Sequence, residues 1–174
     1  MGAATKSELR ARLLAARAAL SPTEIEAARA AVRSHVLSRF AASRRVAAYR
    51  PLRTEPGSVE LLDAFVAAGA AVIVPVLLDD RDLDWTPWPS GPSLGVDAIA
   101  GVDLVLVPAL AVSFSGVRLG RGGGSYDRAL ARVPDGVPTV ALLHDDEIRP
   151  DVPAEAWDVP VSGAITPSGW RALG

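Results

Sequence analysis

The chain has 174 residues, 49% of them hydrophobic and 22% charged, a mixture that is typical of a globular protein and excludes a disordered one. A formal charge of −2, from 18 basic and 20 acidic residues, gives no case for a nucleic-acid partner. The sequence has no cysteine, which excludes disulfides, thiolate metal sites and thiol catalysis. We expect one domain over residues 1–174 and a cytoplasmic location. We expect no membrane partner, because no apolar run approaches the ~18 residues of a spanning helix.

The first two predicted elements are helices. Residues 5–8 form a capping box, in which Thr5 and Glu8 satisfy each other's backbone N–H groups, and apolar residues follow at helical spacing. Residues 21–24 repeat the signal, with Pro22 in the first helical position. The sequence therefore predicts an N-terminal helical pair.

After residue 45, short apolar runs typical of buried strands alternate with helical segments at 59–68 and 125–133. The runs are 46–49, 71–76, 103–109, 138–143 and 161–166. Between them, segment 77–100 is predicted to form edge strands or a hairpin, with the aspartates of 79–84 at a solvated tip. The alternation predicts an α/β layer fold with a mainly parallel sheet. Ligands bind at the carboxyl ends of strands in such sheets, so 50–55 and the stretches after Pro108 and Leu143 share one edge.

The stretch GVRLGRGGGSYDRAL, from residue 116, is the strongest candidate for chemistry. Three successive glycines allow several backbone N–H groups to converge on one anion, and the following helix adds partial positive charge. A carboxylate at Asp127 would repel a bound phosphate unless a cation such as Mg²⁺ lay between them. A tight connection with solvated arginines is the alternative reading of the loop. The cationic donors are Arg118, Arg121 and Arg128.

Other candidate residues are weaker on sequence alone. Lys6 and Arg10 share one helix face and would suit a polyanion, although such spacing is more typical of a solvated surface. Glu55, with Arg50 nearby, would suit the N–H groups of a heterocycle, although a surface turn explains it more simply. Asp158 would suit either a metal or a turn. Residues 144–147 are similar to a metal cluster, but acids at a helix start explain them more simply.

Taken together, these motifs resemble the 5-formyltetrahydrofolate cyclo-ligase (5,10-methenyltetrahydrofolate synthetase) family over nearly the whole chain. The resemblance is carried by K-x-x-x-R at Lys6 and Arg10, by YRPLRTE ending at Glu55, and by VPALAVSFSGVRLGRGGGSYDRAL. The late Asp158 before a short strand completes it. The family often reads GYGGGYYDR, and this chain departs from it at Arg121 and at Ser125, which each replace a tyrosine.

The resemblance implies a three-layer α/β/α fold with a mainly parallel sheet, and it implies roles for particular residues. Mg²⁺ would be held by Asp127 and Asp158, the folate site would be lined by Arg50, Glu55, Arg121 and Ser125, and Arg121 would act in catalysis. ATP would contact Lys6, Arg10, Arg118, Gly120, Arg121, Gly122, Gly123, Gly124, Ser125 and Tyr126.

The resemblance also implies the reaction, which is ATP- and Mg²⁺-dependent cyclisation of 5-formyltetrahydrofolate to 5,10-methenyltetrahydrofolate. ADP and phosphate would be released through a phosphorylated formyl intermediate. The expected partners are ATP and the folate, with or without a polyglutamate tail, and the expected state is a monomer. Two alternatives stay open: a sugar-phosphate isomerase or CoA-transferase type of enzyme, and a non-catalytic folate- or nucleotide-binding paralogue.

Overall fold

The computed structural model describes residues 4–174, which begin with two helices, α1 (Lys6–Ala18) and α2 (Pro22–Phe40). Both predicted capping boxes form: at α1, the Glu8 N–H donates to the Thr5 hydroxyl at 3.2 Å and the Thr5 N–H donates to the Glu8 carboxylate at 2.8 Å. The helices pack against different parts of the protein. Leu9 and Leu13 of α1 join a small cluster outside the main sheet, whereas α2 packs on the main sheet.

Residues 4–174 contain a seven-stranded sheet with the order β3-β2-β1-β4-β7-β8-β9. Its five inner strands are parallel, and the edge strands β3 and β9 are antiparallel to their neighbours. A separate antiparallel pair is formed by β5 and β6. The strands are β1 (Arg45–Ala47), β2 (Ala71–Leu77), β3 (Leu83–Pro87), β4 (Leu104–Pro108), β5 (Ala111–Val112), β6 (Arg118–Leu119), β7 (Thr139–Leu142), β8 (Gly163–Thr166) and β9 (Gly169–Ala172).

Helices cover both faces of this sheet. On one face, α2 and α3 (Val59–Ala67) bury apolar side chains such as Val36 and Phe65 against the strands. On the other face lie α4 (Ser125–Leu130) and a 3-10 helix, Val96–Gly101, with Leu130 and Ile99 buried. The predicted α/β class with a mainly parallel sheet is therefore confirmed. No helix within residues 4–174 has both the length and the apolar character that crossing a membrane requires.

Two interpretations of acidic segments are wrong. Asp82 does not lie at a solvated tip, because its carboxylate oxygens accept from Arg132 at 2.7 and 2.6 Å. Residues 144–147 do not begin a helix; they form a turn in which Glu147 is buried in an ion pair with Arg17 of α1. Both partners are far away in sequence, so local pattern could not reveal them.

The topology places the carboxyl ends of β1 and β4 side by side, with β2 and β7 as their outer neighbours. The segments that follow these strands therefore meet at one edge of the sheet, as the sequence predicts. The candidate site is built from those segments together with α1, the glycine-rich loop and a late turn.

Candidate active site

A cleft of about 670 Å³ opens at this edge of the sheet. All fourteen residues that the sequence comparison with the family singles out line it. They are Lys6, Arg10, Arg50, Glu55, Arg118, Gly120, Arg121, Gly122, Gly123, Gly124, Ser125, Tyr126, Asp127 and Asp158. The cleft has the size and the mixed polar and apolar lining of a small-molecule site.

One wall of the cleft is the first half of α1. Lys6 Nζ donates to Glu155 at 2.7 Å and to both carboxylate oxygens of Asp158 at 2.9 Å. Burial works against the ammonium charge, but the hydrogen bonds to Glu155 and Asp158 outweigh it and raise the pKa of Lys6. Arg10 Nε donates to the carbonyl oxygen of Gly120 at 2.8 Å. Lys6 and Arg10 therefore connect α1 to the turn 155–158 and to the glycine-rich loop. The interpretation of these two residues as a solvated surface is not what the structure shows.

The glycine-rich loop adopts backbone conformations that favour glycine. Gly122 has φ +101° and Gly124 has φ +70°, both in the region that other residues rarely adopt. At Gly120, an added Cβ would meet Arg118 Nη1 at 2.5 Å, so the end of the Arg118 side chain would have to move. The backbone conformation of the loop therefore favours glycine at positions 122 and 124, and the loop leads directly into α4 at Ser125.

Arg118 lies beneath this loop and is only 7% exposed. Its Nη1 donates to the carbonyl oxygen of Pro108 at 3.2 Å, and its guanidinium carbon lies 5.3 Å from the centre of the Tyr126 ring. Its Nη2 is 3.9 Å from Asp127 Oδ2, and burial lowers the pKa of the arginine. Arg118 thus supports the floor of the cleft and faces Asp127. The sequence alone presented Arg118 as a cationic donor in a loop and did not indicate its burial.

The two candidate metal ligands lie in the same cleft but in different surroundings. Asp127 Oδ1 accepts the Val159 N–H at 3.2 Å, and the one partner of Oδ2 among residues 4–174 is Arg118, at 3.9 Å. Asp158 is occupied by Lys6 and also accepts the Glu155 N–H at 2.7 Å. Within residues 4–174, no group of three or more acidic or histidine side chains could hold a metal by itself.

Arg50 and Glu55 follow β1. Glu55 is only 4% exposed, so the surface-turn interpretation is wrong. Its Oε2 accepts the Leu52 N–H at 2.7 Å, and its Oε1 is 3.9 Å from Arg121 Nε. Arg50 donates to the Pro89 carbonyl oxygen at 2.9 Å, and its guanidinium stacks 4.6 Å from the centre of the Trp88 ring. The loop 50–55 therefore presents a buried carboxylate beside a half-exposed arginine of the glycine loop.

A third cation of α1 connects the floor of the cleft to loop 50–55. Arg17 donates to Glu147 through two bonds of 2.8 Å and to the carbonyl oxygen of Ala109 at 2.6 Å. Glu147 also accepts the His144 N–H at 2.8 Å, and His144 Nε2 lies 2.8 Å from the Thr54 carbonyl oxygen, to which it donates. This buried network, from Arg17 to Thr54, joins α1 to the loop that carries Glu55.

Sequence reasoning missed several residues that line the cleft. Tyr49 is one of them. Its hydroxyl group and that of Tyr126, which was predicted, are both buried without a hydrogen-bond partner among the described residues, and burial raises both phenol pKa values. Glu155 and Trp157 were missed although they shortly precede the candidate Asp158 in the run EAWD. The adjacency to Asp158 was the available signal, since a turn that brings one of these residues to a ligand brings its neighbours too.

The parallel sheet and the cleft at its carboxyl edge define an α/β protein with a glycine-rich loop in a cleft of the size that small molecules occupy. The model of the 5-formyltetrahydrofolate cyclo-ligase family matches residues 2–167, so the chain belongs to that family. It is 36% identical to the 5-formyltetrahydrofolate cyclo-ligase of Mycolicibacterium smegmatis (strain ATCC 700084 / mc(2)155) over 96% of both chains. Family membership makes the protein an enzyme, a carbon–nitrogen ligase.

Solved structures agree with this fold. A 5,10-methenyltetrahydrofolate synthetase from Mycoplasma pneumoniae superposes with a TM-score of 0.83 at 20% identity, covering 94% of this chain and 99% of the other. The NMR structure of the Aquifex aeolicus 5,10-methenyltetrahydrofolate synthetase gives 0.79 at 28% identity, covering 97% and 92%. The three-layer arrangement is thus shared with proteins of this family.

Proposed function

We propose that the protein uses ATP and Mg²⁺ to cyclise 5-formyltetrahydrofolate to 5,10-methenyltetrahydrofolate, releasing ADP and phosphate. The observation that carries the proposal is that all fourteen residues to which the family resemblance assigns a role line one cleft, although they are spread from Lys6 to Asp158. Membership of the cyclo-ligase family supports the same reaction. An isomerase of the sugar-phosphate type would need a carboxylate base facing the substrate carbon and would not need ATP.

The triphosphate of ATP would be bound by the glycine loop and the cations beside it. The backbone of residues 120–126 supplies N–H groups, and the positive φ of Gly122 and Gly124 turns the chain so that such groups can converge. Lys6 and Arg10 line the same cleft and would supply charge-assisted donors. Lys6 would then exchange carboxylate partners for phosphate oxygens.

The folate would lie against loop 50–55. The pterin ring of a folate carries several N–H donors, and Glu55 offers a buried carboxylate to accept from them. Arg50 and Ser125 would complete this part of the cleft. Because Arg121 Nε lies 3.9 Å from Glu55 and Arg121 belongs to the glycine loop, this arginine is suited to the junction between the two substrates.

The residues present fit Mg²⁺ that arrives with the nucleotide. Mg²⁺ in nucleotide sites is usually held by one or two carboxylates and by substrate phosphates, so a full protein cage is not required. Asp127 has one oxygen free of hydrogen bonds within the described chain, and Asp158 would join it after releasing Lys6. The ion would supply neutralisation of charge on the phosphate oxygens.

The chemistry needs positioning more than it needs a protein nucleophile. The formyl group on N5 is an amide, whose oxygen is a poor leaving group. Transfer of the γ-phosphoryl group to that oxygen breaks the bond to the bridging oxygen and releases ADP. The N10 amine then attacks the formyl carbon and loses its proton, and the C–O bond breaks to release phosphate. Arg121 and the loop N–H groups would offset the charge that builds on the transferred group.

Incubation with 5-formyltetrahydrofolate tests the proposal directly. Formation of the methenyl chromophore only when ATP and Mg²⁺ are both present is the expected result. Turnover without ATP would favour the isomerase-like alternative, and tight folate binding without turnover would favour a binding paralogue. A folded protein that neither binds nor converts the folate would overturn the proposal.

A cytoplasmic location, a monomeric state and acceptance of polyglutamylated folate are parts of the same proposal. They rest on the resemblance to the family. Sedimentation of the purified protein tests the monomeric state. A comparison of the KM values for folates with one and with several glutamates tests whether the polyglutamate tail is accepted.

A further inference from the structure

Trp157 is an aromatic side chain at the cleft that packing does not explain. It is 67% exposed, the highest value among the large apolar side chains of residues 4–174. Trp85 is fully buried, whereas Trp88 and Trp170 are partly buried against the main core. The three core clusters formed by the described residues do not include Trp157. Exposing a large indole forgoes its burial energy, and at a cleft the usual reason is a ligand.

The turn that carries Trp157 is held in place. The Glu155 N–H donates to Asp158 Oδ2 at 2.7 Å, and the Asp158 N–H donates to the Glu155 carbonyl oxygen at 3.1 Å. Both side chains also bind Lys6. The backbone of Trp157 is therefore fixed between two residues anchored to α1, while its indole remains free to meet a ligand in the cleft that it lines.

The proposed reaction involves two flat rings, the pterin of the folate and the adenine of ATP. They would lie at opposite ends of the triphosphate. The folate meets the γ-phosphate, whereas the adenine follows the α-phosphate through the ribose. Glu55, suited to the pterin, contacts Arg121 of the glycine loop. Trp157 instead lies next to Asp158, whose carboxylate contacts Lys6. Through Glu155 and Asp158, the turn that carries Trp157 is thus joined to α1 and not to the loop that carries Glu55.

We propose that Trp157 is the platform on which the adenine ring of the nucleotide stacks. This inference rests on the proposed function for the identity of the nucleotide. An indole face suits any purine, because stacking reads the π surface and not the hydrogen-bonding edge. Trp157 therefore contributes affinity for the base without strong selection between adenine and guanine.

Substitution of Trp157 separates base stacking from phosphate binding. We expect Trp157→Ala to raise the KM for ATP on the order of tenfold, from the usual strength of aromatic–base stacking. Trp157→Phe should recover most of the affinity, and the KM for 5-formyltetrahydrofolate should not change. Inorganic tripolyphosphate, which has no base, should bind the wild type and Trp157→Ala equally in calorimetry. Phe114→Ala is the matched control, since Phe114 is 47% exposed and does not line the cleft.

Fluorescence gives a readout that does not depend on turnover. ADP should quench the emission of the wild-type protein, and Trp157→Phe should lose most of that quenching. If the wild type forms no methenyl product but ADP still quenches Trp157, the proposed function fails and the stacking assignment stands. If Trp157→Ala turns over with an unchanged KM for ATP, or raises only the KM for the folate, the stacking assignment is overturned.

Discussion

The Nζ atom of Lys6 lies 2.9 Å from each carboxylate oxygen of Asp158, so the first turn of α1 and the late turn 155–158 close one end of the cleft together. Lys6 is the one cation of residues 4–174 that pairs with Asp158, whereas Lys6 also binds Glu155 at 2.7 Å. Nucleotide binding would therefore have to break the ion pair between Lys6 and Asp158, because Lys6 would bind phosphate and Asp158 would bind the cation that accompanies the phosphate.

Lys6→Ala and Asp158→Asn both break this pair, but we expect them to differ in their metal dependence. Lys6→Ala should raise the KM for ATP about tenfold or more, the usual loss for a charge-assisted hydrogen bond, with an unchanged Mg²⁺ requirement. Asp158→Asn should instead raise the Mg²⁺ concentration needed for half-maximal rate. Glu155→Gln is the matched control, because Glu155 also binds Lys6. Identical Mg²⁺ titrations for Asp158→Asn and Glu155→Gln would contradict a metal role for Asp158.

Asp127→Asn tests the other metal carboxylate. We expect the rate at saturating ATP to fall on the order of a hundredfold or more, because a bound cation contributes several kcal/mol to stabilising charge in phosphoryl transfer. Since Asn can still accept the Val159 N–H, the free energy of unfolding should stay close to that of the wild type. Rate against Mg²⁺ concentration and urea unfolding are the two measurements. Normal turnover at limiting Mg²⁺ would rule out the assignment.

Gly122→Ala tests the backbone conformation of the glycine loop. Gly122 has φ +101°, which costs a residue with a Cβ about 1–2 kcal/mol, so Gly122→Ala should lower the free energy of unfolding by that amount and weaken ADP binding. Gly123 is the matched control, because its φ is not in that region and an added Cβ would meet nothing closer than 3.5 Å. Equal unfolding curves for Gly122→Ala and Gly123→Ala would contradict this reading.

Glu55→Gln and Glu55→Ala separate the charge of Glu55 from its support of loop 50–55. Gln retains an oxygen that can accept the Leu52 N–H, whereas Ala leaves that donor unsatisfied. We expect both variants to bind 5-formyltetrahydrofolate about tenfold more weakly or worse, because both lose the carboxylate, while ADP affinity is spared. Calorimetric titration of each ligand is the measurement. Unaltered folate affinity in Glu55→Gln would show that the charge has no part in binding.

The ion pair between Asp82 and Arg132, which lies outside the cleft, is expected to make the stability of the fold depend on pH in acid. The hydrogen bonds from Arg132 hold the pKa of Asp82 at about 2, below its ordinary 3.8. Because the folded state binds the proton more weakly than the unfolded state does, the pair stabilises the fold above about pH 4 and this contribution is lost as the pH falls towards 2. Asp82→Asn should therefore cost on the order of 1 kcal/mol at pH 7 and flatten that part of the acid profile. Asp79→Asn, at an exposed position in the same turn, should behave as the wild type in urea unfolding at each pH.

The sequence was sufficient where the signals were local. The capping box at Thr5 and Glu8, the alternation of strands and helices, and the edge at which the ligand segments meet were all predicted and are present. The strands β5 and β6 were not predicted, because two residues are too few to show any periodicity. Strand β9 follows β8 after a short turn and has no buried residue that would mark it.

The parts of the site that could not be predicted depend on partners far away in the chain. Glu55 is buried because the walls of the cleft surround it, and the sequence of a turn-rich loop carries no signal of that burial. Arg118 reads as one more loop arginine until β6 and Tyr126 enclose it. Arg17 and Glu147 are 130 residues apart, and no local pattern distinguishes a buried ion pair from two surface charges.

The cations of α1 have a consequence for how the protein is made. Lys6, Arg10 and Arg17 each reach partners between 92 and 152 residues further along the chain. The helix α1 therefore cannot complete its docking until the turn 155–158 has been synthesised, far along the chain from the helix itself. Closing such distant contacts is also slow, since chain entropy must be lost before any of them forms. Five of the seven strands of the main sheet precede this turn, so a chain truncated before residue 155 would still contain those five strands but would lack one wall of the binding cleft.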